Sequence, residues 1–89
     1  MAKTKHDKIA EQIAKKQGAE YNRLEGPDVI TPNIVVEVEV DKKKLSEGIR
    51  QLRGFRKRVY IAVPNSILKD AIERTRGTTI GVMDERGKL

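Results

Sequence analysis

Two spacings of apolar residues alternate along the chain. Between residues 6 and 17, Ile9, Ala10, Ile13 and Ala14 recur at helical spacing, and Gly18 stands where such a helix ends. Residues 19–24 read as a first strand and residues 25–27 as a turn. Two β-branched runs follow, Val29-Ile30 and residues 34–40, on either side of Thr31-Pro32-Asn33. This is a strand-turn-strand signal. With Pro32-Asn33 as a two-residue turn, Thr31 faces Ile34, Ile30 faces Val35, Val29 faces Val36 and Asp28 faces Glu37. Side chains alternate with period 2, so Ile34, Val36, Val38 and Val40 share a face that must be buried. The other face carries Asp28, Ile30, Val35, Glu37, Glu39 and Asp41.

Helical spacing returns over residues 42–53, where Leu45, Ile49 and Leu52 face the core and Gly54 ends the segment. Residues 59–63 form a near-continuous apolar run, the pattern of a strand covered on both faces, closed by Pro64. Asn65-Ser66 offers a cap for a third helix with the stripe Ile67, Leu68, Ala71, Ile72 and Thr75. Gly77 stops that helix, and residues 78–83 read as the last strand. Strand, helix and strand over residues 59–83 make a βαβ unit whose strands run parallel with a right-handed crossover. The order predicts one α/β domain over residues 1–89, with a mixed sheet of about five strands and three helices in layers.

Composition narrows the chemistry. With 89 residues, 37% hydrophobic and only 3% aromatic, the core is aliphatic. A domain this small buries only about 60% of its unfolded surface, which favours a homodimer. There is no Cys, so disulfides and thiolate metal sites are excluded. No apolar run reaches membrane length and the basic start lacks an apolar core, so a cytoplasmic protein with no membrane partner is expected. The net charge of +6 and a pI near 9.8 favour nucleic acid as a partner.

Against that charge, the acids of the hairpin stand out. Like charges opposite each other destabilise a sheet, and an external cation relieves them. Oxygen ligands at this spacing suit a hard ion such as Mg²⁺ or Mn²⁺; a solvated acidic strand face is the simpler alternative. Directly after the acids comes a basic segment, Lys42, Lys43, Lys44, Arg50, Arg53, Arg56 and Lys57, suited to docking phosphates. His6, the only His, lies in the basic start and is not read as a ligand. Tyr60 is read as core. Neither a phosphate loop nor a Ser-His-Asp arrangement is present.

Pro27-Asp28 opening a hairpin, Glu37-Val38-Glu39 on its second strand and a basic helix behind it resemble the PD-(D/E)xK nuclease superfamily, whose fold is called restriction-endonuclease-like. The resemblance runs from Asp7 to Met83. It implies a metal-dependent endodeoxyribonuclease, structure-selective in some members, with Asp28 and Glu37 holding the cation. Glu39 stands where the family usually has Lys. In some restriction enzymes a Glu there positions water or adds a metal ligand, and in other members a Lys has migrated, which points to Lys43 and its neighbours. Asp7 matches an acid on the first helix of many members, and Gln51 a Gln near the site in several. The implied catalytic set is Asp28, Glu37, Glu39 and Lys43. A non-catalytic nucleic-acid-binding or assembly module that keeps the fold is the alternative.

Overall fold

Thr4 starts the first helix. Its backbone is extended (φ −72°, ψ 165°) and its hydroxyl accepts the Asp7 N–H at 3.1 Å, satisfying a donor that has no partner within the helix. In the computed structural model, which describes residues 4–22, 27–52 and 57–88, helix α1 then spans Lys5–Lys16. It ends as the sequence predicts, at Gly18, whose φ of 68° is a left-handed conformation that costs glycine little. Its buried stripe is Ile9, Ala10, Ile13 and Ala14.

The described residues form a mixed sheet of four strands, β1 (Val29–Ile30), β2 (Ile34–Val38), β3 (Arg58–Ala62) and β4 (Gly81–Met83), in the spatial order β1-β2-β3-β4. The hairpin has the expected register, with Val29 opposite Val36 and Ile30 opposite Val35. Thr31 N–H closes the turn onto Ile34 O at 2.9 Å. β2 and β3 run parallel, as do β3 and β4. Of the strand expected over residues 19–24, the described part contributes one antiparallel bridge, Tyr21 to Val29. The backbone N–H of Asn22 donates to Asp28 O at 2.7 Å and its side-chain amide to Pro27 O at 3.0 Å. The Asn22 N–H bond to Asp28 O belongs to that bridge, residues 23–26 of the expected strand lie outside the described residues, and the described residues show four strands where about five are predicted.

Both crossovers carry helices. A 3-10 turn over Lys42–Lys44 leads into α2 (Leu45–Gln51), and another over Asn65–Ile67 leads into α3 (Leu68–Thr75). Asp41 caps the first turn by accepting the Lys43 N–H at 2.9 Å. The even face of β2, Val36 and Val38, packs on α1 together with Val29, Ala62 and Met83. The odd face, beginning with Val35, packs with Ile61 and Val63 under Leu45, Ile49 and Ala71 of the two crossover helices. The sheet is therefore covered on both sides, and the acidic face of the hairpin lies beneath α2. Ile72, expected in the buried stripe of α3, is 49% exposed. The buried side of α3 is that of Ala71 and Thr75. Tyr60, read as core, is half-buried and packs against the α1-side core.

Candidate metal centre

Asp28 sits one residue before β1, and the register of the hairpin sets it opposite Glu37. Its Oδ2 accepts the backbone N–H of Val38 at 2.8 Å. A backbone N–H of a strand points along the sheet plane, so this carboxylate occupies a ladder position at the hairpin's open end. From there it meets both layers. Asp28 is 8% exposed and Glu37 7%.

Glu37 is buried because α2 passes over it at a glycine. A Cβ built on Gly48 would stand 3.7 Å from Glu37 Cγ and 3.9 Å from Glu39 Cβ. Glu37 Oε2 is buried with no hydrogen-bond partner. Burial, and then the Asp28 carboxylate facing it, push the Glu37 carboxyl up to about 9, with the Glu39 charge adding in the same direction. Glu37 thus keeps its proton beside Asp28, the alternative to two adjacent buried negative charges. Among the described residues no Lys or Arg pairs with either.

On the α1 side the neighbour is His6. Its Nε2 lies 3.2 Å from Asp28 Oδ2, and one ligand atom each from His6, Asp28 and Glu37 all fall within 4.8 Å of one another. The residue set aside in the sequence as part of a loose start belongs to the first turn of a capped helix and joins the acids. Tyr21 OH donates to Asp7 Oδ1 at 2.9 Å and lies 3.3 Å from His6 Nδ1. The Tyr21 hydrogen bond, ahead of that from Thr4, draws the Asp7 carboxyl below its ordinary range. Asp7, expected near the site, stands behind His6 and outside the ligand trio. The adjacency of His6 and Asp7 in the first helical turn was the available signal for His6, and its distance of 22 residues from Asp28 concealed it.

Among the described residues the other expected site residues add no ligand atom to this trio. Glu39 turns one oxygen, Oε1, back to the N–H groups of Val40 and Asp41, at 3.1 and 3.0 Å. Lys42 Nζ pairs with Asp70 at 3.4 Å and Lys57 Nζ donates to Thr31 O at 3.0 Å. Lys43, Lys44, Arg50 and Gln51 are exposed, while Arg53 and Arg56 fall outside the described residues. A polar cleft of about 420 Å³, lined by Gln12, Asn65, Asp84, Glu85, Arg86 and Lys88, contains none of the trio. No helix among the described residues is long and apolar enough to cross a membrane.

No family model, curated protein or solved structure matches this chain.

Proposed function

We propose that the chain is a metal-dependent endodeoxyribonuclease of the PD-(D/E)xK kind, acting as a homodimer, with Asp28 and Glu37 holding a divalent cation, Mg²⁺ or Mn²⁺. The observation that carries this reading is the buried Glu37 Oε2, which has no donor and faces a second carboxylate. Such a pair needs a proton or a cation, and oxygen donors of this type fit a divalent ion. When bound, the ion supplies positive charge to the phosphate oxygens and lowers the pKa of water bound to it. The chain's own part is to hold the two carboxylates in register through the hairpin and to keep α2 over them. Exposed Lys43, Lys44 and Arg50 neutralise phosphates and bring the DNA backbone to the acids.

Glu39 and the lysines favour a second reading, a nucleic-acid-binding module without catalysis. Among the described residues no Lys ammonium bonds to the acids, and one Glu39 oxygen is committed to its own backbone. Incubating junction, flap, single-stranded and duplex DNA with the protein and Mg²⁺, then Mn²⁺, separates the two. Cleavage that disappears in Asp28→Ala supports the nuclease. Salt-sensitive binding to DNA with no cleavage of any substrate by either ion replaces it with the binding module.

A further inference from the structure

Two buried carboxyl groups and an imidazole nitrogen converge on one spot, one ligand atom of each within 4.8 Å of the others. We propose that His6 is the third ligand of the Asp28–Glu37 site, oriented through Tyr21 by Asp7, and that this nitrogen makes the site select a first-row transition ion over Mg²⁺. The inference rests on the reading of the two acids as a cation site and adds which ion they take.

The hydrogen-bond chain assigns the imidazole its working tautomer. Tyr21 has one hydroxyl proton, and it goes to the Asp7 carboxylate at 2.9 Å. The Tyr21 oxygen is then an acceptor, so its 3.3 Å contact with His6 Nδ1 takes a proton from the ring. A neutral imidazole with its proton on Nδ1 presents the Nε2 lone pair to the acids. Nε2 stands 3.2 Å from Asp28 Oδ2, an oxygen already satisfied by Val38 N–H. That lone pair is the one an ion between His6 and the acids would take.

The spacing agrees. Ligand atoms bonded to one ion at about 2.1 Å lie no more than about 4.2 Å apart. The trio spans 4.8 Å at most, so closing on an ion needs shifts of well under 1 Å. The His6 side chain retains 30% of its exposure, which leaves an approach from solvent. A carboxylate holding a metal-binding His through a second group is the arrangement by which proteins fix ring orientation and raise affinity. Imidazole nitrogen suits later first-row ions, whereas Mg²⁺ prefers an all-oxygen shell.

The test uses the full chain with Mn²⁺, Co²⁺ and Mg²⁺ as probes. Titration calorimetry on the wild type is expected to give Mn²⁺ and Co²⁺ affinities at least about tenfold above that for Mg²⁺. Pulsed electron paramagnetic resonance of the Mn²⁺ complex is expected to show coupling to a ring nitrogen. His6→Gln should lose that coupling and most of the preference for Mn²⁺ over Mg²⁺. Tyr21→Phe, which keeps the ring in the core, should weaken Mn²⁺ about 10- to 100-fold. If His6→Gln fails to fold, the nitrogen coupling in the wild type still decides. Mn²⁺ bound without nitrogen coupling, or an unchanged Mn²⁺-to-Mg²⁺ ratio in His6→Gln, overturns this inference while leaving the acid pair as a cation site. A wild type that binds none of the ions overturns both.

Discussion

Exchanging Glu37 for Gln isolates the proton that this buried carboxyl holds. The folded protein keeps the Glu37 carboxyl protonated up to about 9, against an ordinary value of 4.5. A carboxyl raised on folding contributes its full stability below the unfolded value and loses it as pH rises through the folded one. Between the two, the unfolded chain has released a proton that the folded chain still binds, so stability falls with pH. The slope is at most about 1.4 kcal/mol per pH unit, or roughly 3 kcal/mol between about pH 5.5 and about pH 7.5. Relaxation around the buried carboxyl lowers that figure, so it is an upper bound. Glu37→Gln keeps the shape and carries an amide N–H that can donate to Asp28, with no proton to lose. For a domain of this size 1 kcal/mol moves the melting temperature by about 4–8 °C. The metal-free variant should therefore melt on the order of 10 °C above the wild type at about pH 7.5 and close to it at about pH 5. Circular-dichroism melts of both proteins in chelator, across that range, make the comparison. Every other titrating group is common to the two, so only the difference between the curves matters. Parallel curves would refute the assignment of a retained proton to Glu37.

A divalent cation at about 100 times its Kd should raise wild-type stability by about 2.7 kcal/mol and leave Glu37→Gln nearly unmoved, as read by thermal melts with and without Mn²⁺. Gly81→Ala would place a Cβ 2.6 Å from the Tyr60 ring and should cost about 1–3 kcal/mol in denaturant unfolding. Gly48→Ala meets its nearest neighbour, Ile61 Cδ1, at 3.5 Å, an ordinary contact, and should gain about 0.5–1 kcal/mol from lower backbone entropy; the reverse order of these two variants would contradict the packing described. Thr4→Ala removes the cap of α1 and should cost about 1 kcal/mol. DNA affinity should fall steeply with salt and weaken about equally for all sequences in Lys43→Ala/Arg50→Ala, which fluorescence anisotropy at several salt concentrations would show.

Local patterning determined much of this protein. The helical stripe of Ile9, Ala10, Ile13 and Ala14, its glycine stop and the hairpin register all follow from periods of 3.6 and 2 together with turn chemistry, because each depends on residues close in sequence. The same register brings Asp28 opposite Glu37, and the apolar run of residues 59–63 announces a strand covered on both faces, with parallel neighbours. What a period cannot state is which layer covers a face. The acidic side of β2 reads as a surface in the sequence, and only the passage of α2 over it at Gly48 buries Glu37 and raises its carboxyl. Of the fifth strand, only the Tyr21 bridge to Val29 falls among the described residues, and residues 23–26 lie outside them. His6 is the clearest case. As a lone residue near a basic start it carries no local pattern, and it acquires neighbours only when α1 docks on the sheet and sets its Nε2 against Asp28. Contacts between groups 22 residues apart are decided by how whole elements pack, and that energy resides in the buried apolar faces rather than in the residues that meet as a result.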